Sequence, residues 1–305
     1  MEIFTSVISQ MLYLFLCILI GYVLKRRNIL PDSSDKVISK LESEIIIPCL
    51  VINTFYKYCS PANLSANRSL LFYSVAILAF TVAVAYILGP RFADGDHFAE
   101  GIYTYTLAID NFGFIGNALV LGMYGEEMLF KYLIFTLPIT VFVYAIGVPW
   151  ISTGSRFTLK SFMNASFISM IAGILLGLAQ APLPGPVTTT LSSIAACFSP
   201  LAMILTGVVI AKYDLKKLFR MKKTYLMILI KMIAMPLLVL AVLKLLKVPA
   251  EPAFMIMMFT AMPLSLNTIV YPAANGQDTT IGASLALVSN IVGLLTVPLI
   301  LSLAL

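Results

Sequence analysis

The chain has 305 residues, 60% hydrophobic and only 11% charged, with a formal net charge of +6, whereas soluble domains average about 45–50% apolar and about 25% charged residues. That composition describes an integral membrane protein, and its apolar runs follow one another too closely to leave room for a separate soluble domain. The basic residues sit in short breaks between runs, where membrane topology accounts for them, which argues against a nucleic-acid partner.

Apolar runs and breakers divide the chain into ten spans, near 4–24, 36–56, 68–89, 98–124, 128–150, 162–180, 188–211, 224–246, 253–275 and 279–303. The first lacks a basic stretch before it and is followed by Lys25-Arg26-Arg27, so it reads as a span with the N-terminus outside rather than a cleaved signal. Spans two and seven are polar in their first halves, at Ser39, Glu42, Ser43 and Glu44 and at Thr188 to Thr190, and break at Pro48 and Pro200. Such halves need water or protein beside them. Spans four and nine are interrupted midway, by Asp110-Asn111-Phe112-Gly113-Phe114-Ile115-Gly116-Asn117 and by Met262-Pro263-Leu264-Ser265-Leu266-Asn267-Thr268. Unwound backbone survives at bilayer depth only where it lines a cavity, and paired broken segments mark the substrate site of a secondary transporter. In this topology 14 of the 20 Lys and Arg, Arg156 and Lys160 among them, fall on the cytoplasmic side and 5 outside, with Lys231 inside a span. That bias places both termini outside a plasma membrane, the inner membrane if the cell is bacterial.

The second half echoes the first. Gly21 matches Gly173, Pro48 matches Pro200 and Thr54 matches Thr206 at an offset of 152, while Gly125 matches Gly276 at 151. The expectation is one membrane domain, 1–305, built from a five-span unit used twice, roughly 1–151 and 152–305. Because five is odd, the second unit enters from the opposite face, and inverted repeats permit inward-open and outward-open states related by exchange.

Asp110 lies about 12 residues into the fourth span, or roughly 18 Å deep if helical. An intramembrane carboxylate points to proton or ion coupling, although Asp is also a favoured helix cap. Asn111, Asn117 and Asn267 flank the two breaks, where half-helix N-termini offer unpaired donors and partial positive charge to an anion. Their amides can add donors, or their oxygens can coordinate Na⁺. Thr268 joins this group, Asn53 can approach from the facing side, and Gly113, Gly116 and Pro263 make the breaks. Lys231 is either a counter-charge to Asp110 or substrate, or a snorkelling side chain, and its depth of about 10 Å favours snorkelling. Gly173 and Gly177 form a small-xxx-small packing motif, and His97 reads as interfacial. Three of the four cysteines (Cys17, Cys49, Cys59, Cys197) lie in apolar runs and read as buried small hydrophobes without metal spacing. There is no Walker A pattern and no His-Glu-x-x-His pair, so neither an ATP engine nor an enzyme is expected, and no cofactor or metal beyond a coupling H⁺ or Na⁺.

These residues resemble the auxin efflux carrier family, distantly similar to the bile acid:sodium symporters. The resemblance spans the chain and is sharpest at Asn111 to Gly116 with Gly122 to Gly125, and at Met262 to Asn267 with Tyr271, Gly276, Asp278 and Thr296-Val297-Pro298. It implies an all-α protein of ten transmembrane helices in which discontinuous spans four and nine cross. Spans one, two, six and seven would form a scaffold, and three to five with eight to ten an elevator-like transport domain. The implied substrate is a small organic anion, with Asn111 and Asn267 the strongest site residues. The family's proline after the fourth-span Gly-Ile pair is replaced here, since Gly116 is followed by Asn117-Ala118. The expected function is therefore a secondary active carrier of a small carboxylate, in contact with membrane lipids and with a homodimer as a candidate assembly. A sodium-coupled bile-acid-type symporter and a non-transporting sensor or channel are the alternatives.

Overall fold

The computed structural model describes residues 2–152 and 163–304, so Arg156 and Lys160 lie outside the described residues. Among those described, the backbone is helical apart from turns and an isolated β-bridge.

α1 (Glu2–Arg26) ends in basic residues that suit a helix C-terminus. α2 (Ser34–Leu41) runs through a π-helical turn, Glu42–Ile46, into α3 (Ile47–Tyr58), with Pro48 in the first turn of α3, where its missing N–H costs little. Ser60 caps α4 (Pro61–Asn67), accepting from the Asn63 N–H at 3.1 Å. α5 (Ser69–Ala93) follows and stops at Asp94, which turns left-handed (φ 51°). Asp96 caps α6 (His97–Ala108), and His97 stands exposed at its first position. α7 (Asn117–Phe142) leads through a π-helical turn, Val143–Gly147, into α8 (Val148–Ile151). Asn164 caps α9 (Ala165–Ala179). α10 (Gly185–Ala196) and α11 (Phe198–Ile210) are nearly continuous, and α12 (Leu215–Phe219) is a short turn capped by Asp214. α13 (Lys222–Ile228) joins α14 (Met235–Leu245) through a π-helical stretch, Leu229–Ala234. α15 (Ala250–Thr260), α16 (Asn267–Ala274) and α17 (Thr280–Ala304) complete the described chain.

Among the described residues, six helical stretches are long and apolar enough to cross a membrane: Phe4–Arg26, Pro61–Ala93, Phe112–Ile151, Gly185–Ile210, Lys222–Leu245 and Thr280–Ala304. Ala165–Ala179 and Ala250–Thr260 are shorter apolar helices. The difference from ten expected spans has local causes. The 34–58 rod is too charged in its first half, carrying Asp35, Lys36, Lys40, Glu42 and Glu44, and 97–124 and 250–274 are each broken. Phe112–Ile151 merges two expected spans, divided at Gly125, whose backbone is non-helical (φ 77°, ψ −173°).

Small residues set the helix contacts. A Cβ added at Gly207 would lie 1.9 Å from the Ile18 carbonyl oxygen, and one at Gly21 would lie 2.0 Å from that of Ile204, so α1 and α11 touch backbone to backbone. Gly173 and Gly177 bring α9 close to α3, where an added Cβ would lie 2.9 Å from Phe55 Cβ and 2.5 Å from the Phe55 carbonyl oxygen, as the small-xxx-small spacing predicts. α1 packs on α11 and α17, α3 on α9 and α10, and α5 on α6 and α7. Cys17 and Cys59 are buried and Cys49 is half-buried, but Cys197 is exposed, contrary to expectation, because it sits at the joint between α10 and α11.

Candidate functional site

α6 ends at Ala108, and the chain runs extended through Ile109 (φ −128°, ψ 121°) before a π-helical turn, Phe112–Gly116, leads into α7. On the other side α15 ends at Thr260 and α16 starts only at Asn267. The two interruptions meet. Asp110 and Leu264 form an antiparallel bridge, and the Asn111 N–H donates to the Pro263 carbonyl at 2.9 Å. The Leu264 N–H, which helix geometry would have paired internally, donates instead to Ser289 Oγ of α17 at 3.1 Å. The Asn111 N–H and the Pro263 carbonyl, one from each break, thus satisfy each other, and α17 takes up the Leu264 N–H, as unwinding at this depth requires. Pro263 also packs where α17 is thinnest, since a Cβ at Gly293 would lie 2.9 Å from its ring.

The cap of the second half-helix is Asn111, whose Oδ1 accepts from the Phe114 N–H at 3.3 Å. Asp110 makes no such cap. Its carboxylate lies 2.9 Å from Lys231 Nζ, and both side chains are 0% exposed. Lys231 therefore does not snorkel, which corrects the expectation from its depth. The π-helical stretch Leu229–Ala234 holds Lys231 and Met232 buried, and the ammonium lies 5.9 Å from the Phe259 ring centre. Among the described residues neither Asp110 oxygen nor Lys231 Nζ finds a hydrogen-bond partner of good geometry, so the ion pair itself is what compensates these two charges.

A cavity of about 230 Å³ opens against the crossing, bordered by Asp110, Asn111, Gly113, Asn117, Ser265 and Asn267 on one side and by Phe55 and Val51 of α3 on the other. Asn111 Nδ2 and Asn117 Oδ1 are buried there without a partner among the described residues. Asn267 Nδ2 donates to Tyr105 Oη at 2.6 Å, which aims the amide. A Cβ at Gly116 would lie 2.6 Å from Tyr132 Oη, so this glycine seats the π-helical turn on α7. Two expected site residues lie elsewhere. Thr268 bonds the Ser265 carbonyl at 2.9 Å and packs on Gly282 of α17, and Asn53 donates to Glu126 Oε1 at 3.2 Å; neither borders the cavity. Thr136 and Thr140 of α7 do border it and were not anticipated, although their one-turn spacing within an apolar helix marks a polar stripe. A second hollow of about 390 Å³ shares Ser39, Ser43, Tyr144, Ser166 and Tyr271 with the first and leads outward beside Glu44 and Pro149. No His, Cys, Asp and Glu cluster among the described residues suits a metal ion.

The profile of a family described as membrane transport proteins matches this chain over residues 6–154 and 150–301. The chain belongs to this family, that of the auxin efflux carriers. It is an integral membrane transport protein and not an enzyme. A protein described as an uncharacterized transporter from Methanothermobacter thermautotrophicus is 24% identical over 212 residues, covering 67% of this chain and 68% of that one. Another uncharacterized transporter, from Methanocaldococcus jannaschii, is 28% identical over 122 residues, 38% of each chain. The family member described here thus places its freed backbone and its buried ion pair at one crossing, with a cavity alongside.

Proposed function

We propose that this transporter is a secondary active carrier of a small carboxylate, binding it at the crossing and moving it by elevator-type alternating access between inverted five-span repeats. The observation that carries this reading is the meeting of two half-helix N-termini over a cavity whose lining, among the described residues, holds no lysine or arginine. Each helix N-terminus is equivalent to roughly +0.5 charge. Two of them match a single carboxylate, while the Asp110–Lys231 pair contributes no net charge. The unpartnered Asn111 Nδ2 supplies a further donor. Gly125 and Gly276, matched in sequence, both have positive φ (77° and 68°) with open space around them, which is in keeping with the repeat.

Asp110 is the proposed coupling group, because it borders the cavity on one side and holds Lys231 on the other. Proton uptake there would release Lys231 from its partner, so binding and protonation would compete for one charge balance. With the positive-inside orientation the larger hollow faces the cytoplasm, which makes this conformation inward-open. The test is solute counterflow in proteoliposomes loaded with mono- or dicarboxylates, at fixed pH with and without a Na⁺ gradient. Exchange stimulated by an internal monocarboxylate without Na⁺ supports the reading. Strict Na⁺ dependence would replace proton coupling by sodium coupling, and absence of any counterflow would remove the carrier reading.

A further inference from the structure

Two carboxylate side chains are fully buried among the described residues, Asp110 at 0% exposure and Glu42 at 1%. Asp110 has Lys231 at 2.9 Å. Glu42 has no counterpart of that kind, and neither its Oε1 nor its Oε2 finds a hydrogen-bond partner among the described residues. It opens the π-helical turn Glu42–Ile46 between α2 and α3, and α9, α10 and α11 pack on that turn. Those three helices bring no charge: from 163 to 210 the sequence has no Asp, Glu, Lys, Arg or His, and its titratable side chain is the exposed Cys197. On the rod of Glu42 itself, Lys36, Lys40 and Glu44 are exposed, Asp35 is held by Lys212 at 2.6 Å, and Cys49 is half-buried. Tyr56, Lys57 and Tyr58 stand at the far end of α3, about 20 Å from Glu42 by helical rise.

An ionised carboxylate taken out of water without a partner is so costly that the group neutralises instead. We propose that Glu42 is a proton-binding site of this protein, separate from the crossing, and that it is carried as the neutral acid in this conformation. The open hollow supplies the route. Ser39, three residues before Glu42, and Ser43, directly after it, border both the hollow and the inner cavity, whereas Glu42 borders neither and so lies behind that serine wall. The proton is bound while the turn stays packed on α9, α10 and α11. Its release needs water at the carboxylate, hence a separation of the turn from those helices. The proposal follows from burial and surroundings and does not rest on the carrier reading.

The experiment is infrared spectroscopy on the full chain in lipid nanodiscs at neutral pH, reading the carbonyl stretch of neutral carboxylic acids. Ordinary Asp and Glu side chains titrate at about 3.9 and 4.3 and are ionised there, so a neutral acid stands out. The predicted result is a neutral-acid band in the wild type that shifts when the glutamate carboxyl carbons are isotope-labelled, is lost in Glu42→Gln, and is unchanged when Na⁺ replaces K⁺ in the buffer. Glu42 is the one glutamate fully buried among the described residues, so the labelling assigns the band even if the variant fails to fold. No neutral-acid band in the wild type, a band that the glutamate label leaves in place, or a band that survives in folded Glu42→Gln would overturn the proposal. Loss of the band on adding Na⁺ would overturn it in favour of a cation site. The readout needs no substrate, so its failure is distinct from absent counterflow.

Discussion

Asp110 and Lys231 sit 2.9 Å apart with no exposure, and each is tolerable there only because of the other. Removing one member of a buried ion pair leaves an uncompensated charge and costs about 3–5 kcal/mol, whereas replacing both by apolar groups is often neutral. Asp110→Asn and Lys231→Met should therefore each lower the thermal unfolding midpoint sharply in detergent, and Asp110→Leu/Lys231→Met should recover most of the loss. Two neutral single variants would show that the pair does not form. The glycines give a cleaner contrast. Gly125, at φ 77° and ψ −173°, sits in a region essentially confined to glycine, so alanine there should cost about 1–3 kcal/mol. Gly113, with ordinary φ and nothing within 4 Å of where a Cβ would stand, should accept alanine with little loss of stability. Outside the spans, the Thr280 hydroxyl and amide hold the Asp278 carboxyl below its ordinary value of 3.8. A lowered folded-state pKa gives stability that is present above the unfolded value and lost as pH falls through the folded one. Asp278→Ala should therefore weaken the start of α17 at neutral pH and make no difference in strong acid, as read by thermal unfolding across pH.

At the scale of elements, the breaks were legible because Asn, Gly and Pro are costly inside an apolar helix unless the helix stops there, and both clusters fall where the backbone actually unwinds. The packing role of Gly173 and Gly177 was legible for a similar reason. Lys231 was not. Depth along a helix says how far a side chain lies from the headgroups, but only the neighbouring helices decide which way it points, and here they bury it against Asp110. Asn53 was misplaced on the same account: α3 turns it toward Glu126, a residue 73 positions away that no local pattern connects to it. Thr268 follows the break closely enough to suggest the cavity, yet its hydroxyl turns back to the Ser265 carbonyl in the break just before α16. Tyr105 escaped notice because an aromatic residue in an apolar helix carries no signal until its hydroxyl is seen against Asn267.

Across the whole molecule, one scheme links these parts. Two interrupted segments bond backbone to backbone, the ion pair behind them cancels its own charge, and the donors left over face a cavity that reaches the surface through a connected hollow. The charge carried by the two helix ends suits one carboxylate better than two, so a monocarboxylate should outcompete a dicarboxylate of similar size. Binding to the folded state raises the melting point by mass action, about 2.7 kcal/mol of stabilisation at a hundredfold excess over Kd. The direct measurement is thermal unfolding of the purified protein titrated with matched mono- and dicarboxylates, repeated with Asn111→Ala. A saturable rise in melting point with the monocarboxylate, weakened by Asn111→Ala, is the predicted result. An equal rise in the variant, or none with any carboxylate in the wild type, would contradict anion binding at the crossing.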